Sequence, residues 1–320
     1  MKATVLDGYT TNPGDNSWAP LEAQCQLQVF DRTPPDRVVE RCADSPIVVT
    51  NKTVLSAETI GQLPNLKFIA MLATGYDVVD TLAARQRGIP VSNAPGYSQD
   101  SVAQHVFAMI LARLHQPEEH HRRVQAGQWE SSDDYCFWVG QPAELADKTL
   151  GIVGYGQIGR RVAEIGAAFR MNVLACNPRL AGKIRLDYER FDYCTLDQVF
   201  RESDFVSLHC PLTGETAGMV DTRRLAMMKP TAVLINTARG GLVKEQDLAD
   251  ALNREQIAGA CVDVVSVEPI GGDNPLLTAR HCMITPHNAW ATLESRRRLV
   301  RITAENVEAF LGGRPIHVVN

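Results

Sequence analysis

The chain has 320 residues, enough for about two domains, and its 45% hydrophobic and 22% charged content is that of a globular protein, which excludes a disordered one. Its 32 basic and 37 acidic side chains leave a formal net charge of −5, which argues against a chain whose main partner is nucleic acid. No apolar run reaches the ~18–20 residues of a membrane helix. Asp7 cuts the opening apolar stretch too short for a signal peptide, so a cytoplasmic location and no membrane contact are expected. The eight cysteines are scattered without C-x-x-C and read as reduced thiols. Cys176 and Cys261 lie in apolar runs and read as core residues.

In chain order, short β-rich runs at residues 3–7, 47–50 and 68–72 alternate with helical stretches. That alternation is the signature of a parallel sheet covered by helices. A long helix is predicted over 100–127, opened by Asp100 or Ser101, with Val102, Val106, Phe107, Ile110, Leu111 and Leu114 on its apolar face. Pro117 is placed to kink or divide it. An irregular stretch at 133–140 carries Tyr135, Phe137 and Trp138. Such aromatics either form an interface, such as a dimer contact, or pack on their own domain. A more regular block begins at Lys148, with strands predicted at 149–153, 172–176, 205–208, 232–236 and 259–264. A helix at 157–169 falls between the first two, and a final amphipathic helix at 291–311 ends at Gly312-Gly313 before an extended apolar tail at 316–319.

Gly154-Tyr155-Gly156-Gln157-Ile158-Gly159 matches G-x-G-x-x-G between a predicted strand and a predicted helix, the context a dinucleotide site requires. The first glycine permits a tight turn and the second lets a pyrophosphate approach the backbone. The third allows close helix–strand packing, and the helix N-terminus attracts the anion. About 20 positions on, an acidic residue should bind the ribose hydroxyls and repel a 2′-phosphate. Asn177 stands there instead, followed by Pro178 and Arg179. Asn177 hydrogen-bonds a ribose but repels nothing, and a guanidinium at 179 suits a 2′-phosphate. NAD(H) is therefore expected, with NADP(H) left open.

Three further segments place polar residues where strands give way to loops. They are 236–241 with Arg239, 263–269 with Asp263 and Glu268, and 285–287 with His287. Ligands of parallel α/β sheets bind at the carboxyl ends of strands. Arg239, Glu268 and His287 are thus expected to converge beside the nicotinamide. Each alone would read as an ordinary surface or structural residue.

With these segments, the runs L-A-T-G-Y-D-V-V-D at 72–80, S-V-A-Q-H at 101–105 and H-C-P-L-T at 209–213 resemble the D-isomer-specific 2-hydroxyacid dehydrogenase family over nearly the whole chain. T-N-K-T at 50–53, Phe137-Trp138 and T-P-H-N-A-W-A-T at 285–292 are most similar to the glycerate dehydrogenases, also called hydroxypyruvate reductases. The resemblance implies an α/β protein of two doubly wound parallel-sheet domains. A flavodoxin-like substrate domain, 1–99 plus 290–320, would hold an inserted Rossmann cofactor domain, 100–289, with crossovers near 97–100 and 286–290.

The resemblance also implies roles for residues. His287 would be the general acid in reduction and the base in oxidation, which suits imidazole. Glu268 would orient it and favour its charged form. Arg239 would bind the substrate carboxylate and polarise the carbonyl. Ala73, Thr74 and Gly75 would offer backbone N–H groups to that carboxylate, and Lys52 and Trp290 are candidate pocket residues. Thr237, Ala238 and Asp263 would face the cofactor, with Ser101, His209, Cys210 and Pro211 beside it. A small 2-oxo or 2-hydroxy acid is the expected substrate, with hydroxypyruvate and D-glycerate first. Glyoxylate, D-lactate and phosphite are the alternatives, and a non-catalytic NAD(H) sensor is a reading of another class. A homodimer is expected.

Two features are discounted. His115, His120 and His121 near Glu118 and Glu119 suggest a metal, but Pro117 disturbs their spacing and no metal is expected. Arg296-Arg297-Arg298 reads as a solvated stripe or a partner for acidic residues.

Overall fold

Parallel strands buried on both faces read as near-continuous apolar runs, and the central strands here have that character. The computed structural model describes residues 1–177 and 184–320. It comprises two units, Met1–Ser98 with Trp290–Asn320, and Gln99–Ala289.

The first unit carries five parallel strands, β1 (Lys2–Val5), β2 (Gln26–Val29), β3 (Ile47–Thr50), β4 (Phe68–Met71) and β5 (Val91–Ser92), in the order β2-β1-β3-β4-β5. That is the flavodoxin-like order. β3 and β4 are buried along their whole length, while β2, at an edge, alternates exposed and half-buried residues. The helix Leu293–Leu311 covers one face. Its Leu299, Val300 and Val307 join Ala3, Val5 and Val49, and Phe310 stacks on Phe68 with ring centroids 4.5 Å apart. Each fully buried aliphatic side chain contributes roughly 1.5–3 kcal/mol. Thr292 caps this helix by accepting the Ser295 N–H. The extended tail lies along β5, where Val318 bridges Ser92 in antiparallel sense.

Arg296 departs from a solvated stripe. It is only 8% exposed, and its guanidinium donates to both Asp15 oxygens at 2.6 and 2.7 Å. Arg298 donates to the Tyr97 carbonyl at 2.8 Å. Arg296 and Arg298 are thus anchors, Arg296 as the partner of an acidic residue, while Arg297 between them is exposed.

The second unit carries seven parallel strands, β6 (Thr149–Val153), β7 (Asn172–Cys176), β8 (Phe191–Tyr193), β9 (Phe205–Leu208), β10 (Val233–Asn236), β11 (Gly259–Val262) and β12 (Cys282–Ile284). Their order is β12-β11-β10-β9-β6-β7-β8, the Rossmann order with one more strand. Alternate residues feed two core clusters. Leu208, Leu234 and Val262 point to one face of the sheet, and Ile152, Val173, Ile235 and Cys261 to the other. All eight cysteines are free thiols. Burial raises the Cys176 thiol and pushes that of Cys261 up to about 12.

The helix predicted over 100–127 is two helices, Gln99–His115 and Pro117–Gln125, divided at Gln116, whose φ is 46°. Proline lacks an N–H and disfavours helical backbone before it, so the break falls there. His120 Nδ1 donates to the Gln116 carbonyl and Nε2 accepts the Val139 N–H, so both ring nitrogens serve the backbone. Glu119 bonds Arg122 and Arg123, which hold its carboxyl down to about 2. Among the described residues, no group of three or more His, Cys, Asp or Glu side chains is placed to hold a metal ion. Among them too, no helix is long and apolar enough to cross a membrane.

Of the aromatic stretch, Phe137 stacks on His120 at 5.8 Å, whereas Tyr135 and Trp138 are 90% and 67% exposed. Phe137 thus packs on its own unit, while Tyr135 and Trp138 are left exposed.

Candidate active site

Strand order reverses between β6 and β9, and the glycine loop leaves β6 at that point. Gly154 has φ 96°, and a Cβ there would lie 2.5 Å from the Cys210 nitrogen. A Cβ at Gly159 would lie 2.2 Å from the Gly154 carbonyl oxygen, so the helix Gln157–Ala168 packs onto the turn only without one. Gly156 is different: a Cβ there would meet no protein atom within 4 Å. It opens the helix with no side-chain cap on the first-turn N–H groups. Space, helix N-terminus and uncapped donors at Gln157 and Ile158 fit a pyrophosphate.

Asn177 follows β7, where the ribose-binding residue is expected. Arg179 lies outside the described residues. After β9, His209 donates its backbone N–H to the Val153 carbonyl, and its Nε2 is 2.8 Å from Ser207 Oγ. Burial pushes the His209 imidazole down to about 3, so it stays neutral beside the glycine loop. Cys210 and Pro211 continue this segment, and burial pushes the Cys210 thiol up to about 11.

β10, β11 and β12 are adjacent and parallel, so their carboxyl ends bring the segments of Arg239, Glu268 and His287 side by side. Gly240 makes the approach close: a Cβ there would lie 1.9 Å from the Val265 carbonyl carbon. His287 Nδ1 is 2.6 Å from Glu268 Oε2, while Glu268 Oε1 accepts the Val265 N–H at 3.3 Å. His287 has φ 51°, a left-handed backbone that a non-glycine residue holds only where its surroundings impose it. Its N–H donates to the Asp263 carbonyl at 2.8 Å. Arg239 donates from Nη1 to the Ala238 carbonyl at 2.8 Å. The Thr237 hydroxyl is buried and finds no hydrogen-bond partner among the described residues. An orphaned hydroxyl in the Arg239 turn leaves a polar position for a bound group to satisfy.

Two residues expected beside the cofactor have partners within the protein as well. The Asp263 side chain is 1% exposed and turned into its own unit, where it accepts the Thr285 hydroxyl at 2.5 Å and the Asn288 and Ala289 N–H groups at 3.0 Å. The buried Ser101 hydroxyl donates to the Ala289 carbonyl at 2.6 Å. Both side chains hold residues 285–289 in place.

Supporting residues went unnoticed in the sequence. Asn236 bonds the Arg239 carbonyl and the Ala238 N–H, which shapes the turn before Arg239. Glu245 accepts from the Ser266 N–H, the Ser266 hydroxyl and Asn274, pinning the loop that carries Glu268. A polar residue at the end of a strand is the only sequence signal for Asn236, and Glu245 has none.

In the first unit, Asp7 accepts the N–H groups of Asn51, Lys52 and Thr53 at 2.8, 2.5 and 2.7 Å, fixing the loop of Lys52. The loop 73–75 is braced by Ala94, whose N–H donates to the Ala73 carbonyl and whose carbonyl accepts the Thr74 hydroxyl. Trp290 is half-buried, edge-on to Tyr97 with centroids 6.1 Å apart.

Residues 107–289 match the NAD binding domain of the D-isomer specific 2-hydroxyacid dehydrogenases. The chain is 46% identical to a hydroxypyruvate reductase of Blautia hydrogenotrophica over all of both chains. It is 38% identical to a glycerate dehydrogenase of Methylorubrum extorquens over 89% of this chain and 88% of the relative. Among solved structures it is similar to an acyclic imino acid reductase in complex with NADPH and D-Arg, with 30% identity and a TM-score of 0.85 over all of both chains. The chain belongs to the D-isomer-specific 2-hydroxyacid dehydrogenase family and is an NAD(H)-binding oxidoreductase.

Proposed function

We propose that this enzyme interconverts hydroxypyruvate and D-glycerate with NAD(H), His287 carrying the proton. The hydrogen bond of 2.6 Å between His287 and Glu268 carries this reading, and the 46% identity to a protein named hydroxypyruvate reductase supports the substrate.

Nδ1 of His287 is held by Glu268, which assigns the transferred proton to Nε2. The carboxylate of Glu268 fixes the orientation of the ring and leaves Nε2 as the nitrogen that faces the reaction. Arg239 binds the substrate carboxylate in a forked geometry and draws electron density from the adjacent carbonyl. Ala73, Thr74, Gly75, Lys52 and Trp290 are assigned to the substrate as well. A bound dihydronicotinamide supplies the hydride that adds to C2 of the oxo acid. As the C=O π bond opens, its electron pair takes the His287 proton, leaving a hydroxyl and a neutral imidazole that recovers its proton from water. Oxidation reverses each step.

Gly154, Gly156, Gln157, Ile158 and Gly159 would hold the pyrophosphate and Asn177 a ribose. Thr237, Ala238, His209, Cys210 and Pro211 would line the remainder of the cofactor site. NADH is the favoured donor. NADPH remains a usable one, because Asn177 carries no charge to repel a 2′-phosphate.

The exposed Tyr135 and Trp138 support a homodimer through the 133–140 stretch. Eight free thiols support a reducing, cytoplasmic compartment.

The test is steady-state reduction of hydroxypyruvate, glyoxylate and pyruvate, each with NADH and NADPH. Hydroxypyruvate with NADH is expected to lead by kcat/KM. Failure of all three while NADH binds would overturn the substrate assignment and favour a sensor.

A further inference from the structure

One ring outside the proposed machinery is tied to it. His105, on the helix Gln99–His115, has Nε2 3.1 Å from Thr285 Oγ1. The same Nε2 is 3.6 Å from Asp263 Oδ1, too long for a hydrogen bond, so Thr285 stands between them.

The direction of the bonds follows from counting hydrogens. The carboxylate of Asp263 accepts only. Thr285 has a single hydroxyl hydrogen, and its oxygen lies 2.5 Å from Asp263 Oδ1, against 4.0 Å from the sulfur of Met109. That hydrogen therefore goes to Asp263. Towards His105, Thr285 offers only lone pairs, so His105 must donate from Nε2. The relay runs from His105 to Thr285 to Asp263.

Its end point matters because Asp263 fixes the segment that presents His287. Its side chain takes the Asn288 and Ala289 N–H groups, and its carbonyl takes the N–H of His287, whose backbone is left-handed. Strain of that kind persists only where surrounding bonds over-determine it.

We infer that His105 is a positioning residue of the reaction centre, acting through Thr285 and Asp263 to hold residues 285–289 and with them the His287 ring. This rests on the proton-transfer role proposed above for His287. The residue acts from a helix rather than a loop, and touches neither reactant.

The experiment uses the full chain with four single variants, His105→Phe, His105→Gln, Thr285→Val and Thr285→Ser, and the double variant that combines His105→Phe with Thr285→Val. Gln and Ser keep a donor or a hydroxyl at the relay positions, whereas Phe and Val remove them. Two readouts are taken. One is hydrogen–deuterium exchange of the peptide spanning 285–290, which needs no substrate. The other is kcat and KM for hydroxypyruvate, with NADH affinity measured separately by fluorescence.

The relay predicts faster exchange at 285–290 in the Phe and Val variants, with other peptides unchanged. It predicts a fall in kcat of about ten- to a hundredfold, with KM and NADH affinity within about threefold of wild type. Gln and Ser should recover most of both, and the Phe–Val double variant should lose no more than either single one, since both cut the same chain. Unchanged exchange at 285–290, or additive losses in the double variant, would overturn the inference. So would Ser behaving like Val. If wild type does not reduce hydroxypyruvate, the proposed substrate fails, and the exchange data alone still judge the relay.

Discussion

His287 Nδ1 lies 2.6 Å from Glu268 Oε2, and the two residues sit on segments that follow adjacent parallel strands. A ring so held cannot turn without losing a charge-assisted hydrogen bond. Glu268 is held in turn by the Val265 N–H, so the pair is oriented from both sides.

Replacing Glu268 by Gln separates orientation from charge. Gln can still accept from the imidazole through its amide oxygen but carries no charge. Reduction by Glu268→Gln is expected to fall about ten- to a hundredfold in kcat/KM, and Glu268→Ala to fall further. Steady-state kinetics at one pH check the order, and equal activities of the two variants would show that the charge is irrelevant.

The glycines of the loop make separable predictions. A methyl at Gly156 meets no protein atom within 4 Å, so Gly156→Ala should keep the melting temperature of the cofactor-free protein. The same methyl occupies the proposed pyrophosphate position, and NADH affinity should fall by about tenfold or more. At Gly159 the methyl would lie 2.2 Å from a backbone oxygen, so Gly159→Ala should lower the melting temperature before any cofactor is added. Thermal melts with and without NADH distinguish the two.

Asn177 stands at the end of β7, where a carboxylate would discriminate against NADPH. Asn177→Asp is expected to raise the NADH-to-NADPH ratio of kcat/KM by about tenfold, mainly through loss of NADPH activity. An unchanged ratio would place the 2′-position elsewhere.

Hydrogen bonds from Arg296, aided by its charge, hold the Asp15 carboxyl below the usual carboxylate range. A lowered folded-state pKa stabilises the fold above the unfolded value and loses that contribution as pH falls through the folded value. Wild type should therefore melt above Asp15→Asn at neutral pH, and the gap should close as pH drops through and below the carboxylate range. A gap that persists in acid would mean that the loss is one of shape rather than charge.

Much of this was legible in the sequence because it is local. The glycine loop announces itself by spacing between a strand and a helix, and Pro117 marks the helix break by chemistry that acts on its own neighbours. The polar residues at strand ends were visible because the sheet is parallel, which sends every carboxyl end to one edge. What escaped is long-range. Arg296 pairs with Asp15 across 281 residues of chain, so nothing near the arginine run reveals its burial. Asp263 sits in a segment that reads as cofactor-facing, and nothing near it reveals that its carboxylate bonds a hydroxyl 22 residues away. The three N–H groups on Asp7 come from a loop more than 40 residues on. Spacing reports periodicity, whereas these contacts depend on how loops close in space.

The central claim is that His287 delivers the proton, and single-turnover reduction of hydroxypyruvate by His287→Ala pre-loaded with NADH tests it most directly. The account predicts NADH affinity within about threefold of wild type and oxidation of the bound NADH slower by about 10²–10⁴-fold. A variant that binds NADH and oxidises it at the wild-type rate would contradict it.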